Sequence, residues 1–222
     1  LLALSAFIVL PLLIICVQLL LDLDSIWGVF GYSLYKISFI VPPLIYCRAK
    51  GISVWTDVLR LRRWRHYLGT SIGLGALAVL IFWSAYAAWG ELLLDKPKIA
   101  QKIGDQFQVT STTVLIIAPI TIFINSFLEE FFYRAFGFGL LVRKSRGMGW
   151  TLPAAVFTIQ HMLFIYHWVT PLPLVMAIAG LVVFAVVLQK TYLLAGSIVA
   201  PWVVHILGDV AMMGIAVNLL WN

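Results

Sequence analysis

The sequence predicts an all-α, polytopic membrane helical bundle of about seven transmembrane helices, forming a single domain over residues 1–222. Three observations predict it. Of the 222 residues, 63% are apolar and only 11% charged, against roughly 25% charged in soluble domains. The mean hydropathy is +1.03, and a soluble fold of this size has too little interior to hide so much apolar surface. The apolar residues also come in runs close to the ~20 that a helix needs to cross a bilayer, each bounded by charge.

In chain order the expected spans are Leu1–Leu21, Trp27–Tyr46, Tyr67–Gly90, Thr112–Val142, Trp150–Tyr166, Pro171–Gln189 and Leu194–Trp221. The first reads as a retained span, because no basic segment precedes it. The fourth is long for one straight helix, and Pro119 is placed to kink it. The fifth is short. Lys98–Gln108 reads as a short interfacial helix. Cys16 and Cys47 form no C-x-x-C pair and fall near opposite faces, so no disulfide is expected between them.

The connections differ in charge. Arg48, Lys50, Arg60, Arg62, Arg63 and Arg65 lie between the second and third spans. Arg143, Lys144 and Arg146 follow the fourth, and Lys190 follows the sixth. The opposite side carries Lys96, Lys98 and Lys102, diluted by Glu91, Asp95 and Asp105, with Asp22 and Asp24. Positive charge in short loops marks the cytoplasmic side, so the N-terminus is expected inside and the C-terminus outside. The same rule accounts for the net charge of +6 without any nucleic-acid partner. The basic loop with Trp55 and Trp64 reads first as an interfacial anchor and second as a surface for anionic lipid or an acidic substrate.

Six of the nine acidic residues lie in loops or at span ends; Glu129, Glu130 and Asp209 do not. His161, His205 and Arg134 are also inside apolar runs. Each charge at mid-bilayer costs at least ~2.5–3.5 kcal/mol, so such groups need a partner or a task. Glu130 and Arg134 are four apart on one helix face and can pair. His205 and Asp209 share that spacing. Phe157, four before His161, can wall the imidazole, and Asn125, four before Glu129, can orient its carboxylate. At ~1.5 Å per residue from the cytoplasmic span ends, Glu129 lies ~21 Å deep, His161 and His205 ~17 Å and Asp209 ~23 Å. Three helices thus place polar groups in one layer, as a shared buried site requires.

Two hydrolytic schemes fit these residues. In one, Glu129 is the general base on a water that His161 also holds, and His205 with Asp209 binds the oxyanion. In the other, Glu129, His161, His205 and Asp209 ligate a metal such as zinc, although the H-E-x-x-H signature is absent. An ion or proton pathway is a third reading, disfavoured because the polar groups keep to one layer.

Three fragments then carry a resemblance. Glu129-Glu130-Phe131-Phe132-Tyr133-Arg134 reads E-E-x-x-x-R, Phe157 to His161 reads F-x-x-x-H, and His205 to Asp209 reads H-x-x-x-D. In this order the chain resembles the CPBP family of intramembrane proteases, the CAAX-processing and bacteriocin-processing group that includes type II CAAX prenyl endopeptidases. Gly196-Ser197-Ile198-Val199-Ala200-Pro201 resembles the family's lead-in to its last motif. The resemblance covers about residues 125–209 and implies a catalytic core of approximately 112–221. It implies an endopeptidase that acts on a membrane-associated peptide or protein within the lipid bilayer, in a bacterial or archaeal plasma membrane. Glu129 would activate water with His161, Glu130 and Arg134 would hold the site's shape, and His205 and Asp209 would form the oxyanion side. The family was long called metalloprotease; the implied mechanism is of glutamate type, with no cofactor favoured. Prenyl-processing members usually have asparagine where Asp209 stands, so Asp209 is expected to be protonated or bonded to His205. A pheromone, bacteriocin precursor or anchored leader is as fitting a substrate as a CAAX peptide. The alternative is a catalytically silent immunity or scaffold protein of the same fold.

Overall fold

The structure, a computed structural model, describes residues 1–20, 35–61, 63–107, 109–110 and 112–221. The expected span over 27–34, the acids Asp22 and Asp24, and Leu21, Arg62 and Gln108 lie outside the described residues. Among the described residues the regular structure is entirely helical.

Five helices are long and apolar enough to cross a membrane: α3 (Trp64–Leu93), α5 (Val114–Leu141), α6 (Arg146–Ile165), α7 (Pro171–Ala195) and α8 (Val199–Trp221). Helix α1 (Leu2–Leu20) is apolar over Leu2–Val17 but shorter. Helix α2 (Val41–Ala49) opens on a proline pair, which suits a first turn whose N–H groups have no helical partner. The connection between α3 and α5 holds α4 (Lys96–Phe107), whose Ile99 and Ile103 are buried one turn apart, as a helix lying on a surface requires.

Three span boundaries differ from the sequence reading by four to six residues. Helix α6 begins at Arg146, four residues before Trp150, because the Ser145 side chain accepts from the Met148 N–H and caps the helix there. Helix α7 runs past Gln189 to Ala195 and stops at Gly196, whose φ of +56° is the left-handed conformation of a helix C-terminus. Helix α8 therefore starts at Val199 rather than Leu194. In α5 the helix continues through Pro119, directly followed by a π-helical stretch at Ile120–Asn125 and a second at Glu130–Phe138. Proline lacks the N–H that would close the ordinary turn, and local rewinding absorbs the loss.

Bundle packing relies on small residues where backbones come close. Gly75 of α3 faces Leu207 of α8, and a Cβ there would stand 2.4 Å from the leucine Cδ1. Gly149 of α6 lies against the backbone of Val142, with only 2.5 Å between a hypothetical Cβ and the valine Cα.

The described residues of the basic loop pack onto the bundle. Its π-helical turn Val54–Leu59 is tied to the bundle by three long-range bonds. Tyr192 donates to the Val58 carbonyl at 2.8 Å, Arg143 to the Asp57 carbonyl at 3.0 Å, and the Ile198 N–H to the Leu59 carbonyl at 3.0 Å. These contacts bring the basic loop, the basic connection after α5 and the end of α7 to one end of the bundle; Lys190, expected in a loop, lies within α7.

Candidate active site

The site is built where α5, α6 and α8 meet. The second π-helical stretch of α5 is buried at every residue from Glu130 to Phe138. A π-turn widens the helix and reorients consecutive side chains, a distortion frequent at functional sites. Glu129 and Glu130 straddle its start and turn to different partners.

Glu129 faces the histidines. Its Oε2 is 3.5 Å from His161 Nε2 on α6 and 3.9 Å from His205 Nε2 on α8. Its other oxygen, Oε1, is held by Asn125 Nδ2 at 3.1 Å, Gln160 Nε2 at 3.5 Å and Lys36 Nζ at 3.2 Å. Gln160 is itself fixed, because Tyr133 donates its hydroxyl to the Gln160 carbonyl oxygen. Glu129 Oε2 is buried and has no hydrogen-bond partner among the described residues. One oxygen of the carboxylate is thus tied down while the other points into the gap between two imidazoles.

Glu130 takes the opposite direction. Arg134 Nη1 lies 3.1 Å from Glu130 Oε1, with both side chains buried. The guanidinium also sits 4.1 Å from the centre of the Phe157 ring, a cation–π contact. His205 Nδ1 reaches the same Glu130 oxygen at 2.7 Å.

The ring orientations of both histidines follow from these partners. His161 Nδ1 is 2.8 Å from the Phe157 carbonyl. A carbonyl oxygen only accepts, so Nδ1 carries the hydrogen and the neutral ring presents its Nε2 lone pair to Glu129. Glu130 likewise fixes a hydrogen on His205 Nδ1 and leaves His205 Nε2 toward Glu129 and Asp209. Phe157 packs on His161 at 4.2 Å between ring centres. Asp209 Oδ1 stands 3.6 Å from His205 Nε2, within ion-pair reach but longer than the hydrogen bond expected from the sequence; His205 gives its short bond to Glu130 instead. The His161 side chain is 30% exposed and that of Asp209 19%, against 3–4% for Glu129 and His205. His161 and Asp209 therefore form the open edge of the site, with Glu129 and His205 at its inner wall.

All eight residues singled out in the sequence thus fall in one contact network. Convergence rests on side-chain distances rather than on helix boundaries, since α8 begins five residues later than the depth arithmetic assumed. Two members went unnoticed in the sequence, although Lys36 stands midway along the expected span Trp27–Tyr46 and is an intramembrane charge by the same rule. Gln160 is uncharged and reads as an ordinary polar residue next to His161. Lys36 stands 93 residues from Glu129 on a helical turn at 35–37, and no spacing rule connects them.

The donor set does not fit a metal centre. An ammonium group already lies on Glu129 Oε1, where it would repel a second cation. Among the described residues, no three histidine, cysteine, aspartate or glutamate side chains are disposed to hold one ion.

A protein-family model described as "Rce1-like: Type II CAAX prenyl endopeptidase Rce1-like" matches residues 111–211, a segment that contains all three motifs. No curated protein and no solved structure matches the chain. The matched segment, in which the E-E-x-x-x-R, F-x-x-x-H and H-x-x-x-D fragments meet around Glu129, is similar to the type II CAAX prenyl endopeptidases over just under half of the chain.

Proposed function

We propose that the chain is an intramembrane endopeptidase that hydrolyses a peptide bond of a membrane-associated peptide or protein through a water activated by Glu129 and His161. The observation that carries this reading is the asymmetry of the Glu129 carboxylate, with Oε1 anchored by three donors and Oε2 unpartnered between two imidazole Nε2 atoms. A water there donates one hydrogen to Glu129 and the other to the His161 lone pair. Its oxygen attacks the scissile carbonyl as Glu129 takes the proton. The oxyanion needs a donor on the opposite side. His205 can donate from Nε2 only as an imidazolium, and Asp209 only as a neutral acid. One proton held across their 3.6 Å separation supplies that donor. When the tetrahedral intermediate collapses, the C–N bond breaks and the proton on Glu129 passes to the leaving amine, giving a carboxylic acid and an amine.

The reading is tested by reconstituting the purified chain in liposomes with two quenched peptides, one farnesylated with a C-terminal CAAX sequence and one an unprenylated apolar leader. Wild type is expected to cleave at least one. The His161→Ala/His205→Ala double variant is expected to cleave neither. Equal turnover by the double variant, or none by the wild type on either peptide, would favour a binding or scaffold protein.

Orientation is part of the same proposal. The basic end of the bundle faces the cytoplasm, so α8, which starts at that end, finishes outside. A phosphatase fused after Asn222 is expected to be active only if exported, and a green fluorescent fusion at the same point to be dark. The reverse pattern would invert the topology.

A further inference from the structure

A half-buried cation outside the motifs sits on Glu129, the proposed base. Lys36 lies outside the matched segment, and its side chain is only 14% exposed. Its Nζ is 3.2 Å from Glu129 Oε1 and stands over the rings of Tyr35 at 4.8 Å and Phe39 at 4.9 Å. Phe39 stacks on Phe132 of α5 at 4.7 Å with an interplanar angle of 11°. The turn that carries Lys36 is therefore keyed to the helix that carries Glu129.

The charge inventory explains why a cation belongs there. Glu129, Glu130 and Asp209 share one buried network, and Arg134 is engaged by Glu130. Burying a charge without compensation is costly. An ammonium is a compact point charge with three donors and no acceptor. It can therefore fix one carboxylate oxygen and leave the other free. Asn125 and Gln160 are neutral and can orient Glu129 but not offset its charge.

We propose that Lys36 is a positioning residue for Glu129, holding Oε1 so that Oε2 stays turned toward the Nε2 atoms of His161 and His205. This rests on the reading of Glu129 as the base. Lys36 acts through Glu129 and does not touch the reacting atoms, so its loss falls on the chemical step rather than on substrate binding.

The test uses the full chain in liposomes with whichever of the two quenched peptides the wild type cleaves. Lys36→Met is expected to lower kcat on the order of 100-fold, the scale on which small misplacements act, with KM within about threefold of wild type. Lys36→Arg, which keeps the charge, is expected to recover at least about a tenth of the wild-type kcat. Wild-type kcat in Lys36→Met would overturn the proposal, as would a rise in KM alone, which would place Lys36 on the substrate. Lys36→Arg as slow as Lys36→Met, with both folded, would assign the effect to packing. A second measurement reads the pairing without any cleavage: thermal midpoints of Lys36→Met, Glu129→Gln and the double variant in detergent. The double variant is expected to melt above Lys36→Met, because the uncompensated carboxylate is gone. Additive losses would overturn the pairing even if neither peptide proves to be a substrate, whereas cleavage that survives Glu129→Gln would refute the Glu129 mechanism and leave the midpoints to decide on Lys36.

Discussion

Glu129→Gln is expected to lower the cleavage rate at least ~10³-fold, within the range that general-base catalysis contributes, while the protein remains folded. The substitution is isosteric. The glutamine carbonyl can replace Oε1 and go on accepting from Asn125, Gln160 and Lys36. Its amide nitrogen then replaces Oε2 and faces the lone pair of His161 Nε2, which can accept. The amide is well satisfied in that position and only the capacity to take a proton is lost. Glu129→Asp is the informative companion. It keeps a carboxylate but withdraws it by one methylene, about 1.5 Å, and is expected to retain more activity than the glutamine variant while still losing on the order of 100-fold. Circular dichroism and thermal midpoints would establish that both variants fold, and turnover of the quenched peptides would rank them. Wild-type turnover in Glu129→Gln would remove Glu129 from the chemistry.

The site was legible in the sequence where physics leaves a periodic mark. Glu130 with Arg134 and His205 with Asp209 are spaced one helical turn apart, and intramembrane charge is rare enough to be noticed residue by residue. The partners across helices were not legible in the same way. Nothing in the spacing of His205 says that its Nδ1 meets Glu130 rather than Asp209; that choice depends on how α8 is rotated against its neighbours, which is set by contacts such as Gly208 on Phe184 of α7 and Trp202 donating to Ser126 of α5. Lys36 is hidden for a related reason. A lone lysine midway along the expected span Trp27–Tyr46 is itself an intramembrane charge, but no spacing names its partner, and only the fold reveals that its ammonium turns inward onto a carboxylate. Boundaries failed where a single residue decides them. Leu194 continues the apolar run without a break, but Gly196 takes a positive φ and ends α7, so the hydropathy pattern crosses a turn that the backbone does not.

Arg134→Met is expected to be the most destabilising single substitution in the site, by roughly 3–5 kcal/mol, the cost of breaking a buried ion pair from one side. At roughly 2–4 °C per kcal/mol for a chain of this size, the thermal midpoint should fall by about 6–20 °C. The methionine fills comparable space and keeps an apolar contact with Phe157, so the loss is electrostatic rather than a cavity. It leaves Glu130 fully buried with one remaining partner, His205 Nδ1 at 2.7 Å. That partner then has to answer the whole carboxylate charge, which ties the imidazole proton to Glu130 and withdraws it from the edge shared with Asp209. Activity should therefore fall along with stability. Adding Glu130→Gln to Arg134→Met removes the stranded charge, and the double variant is expected to melt at a higher temperature than Arg134→Met alone, because a neutral amide can still accept from His205. Cleavage need not return with stability, since a neutral amide does not hold His205 as the carboxylate does. Midpoints that simply add would mean that Glu130 and Arg134 are not energetically coupled, and would make their 3.1 Å approach incidental to the fold.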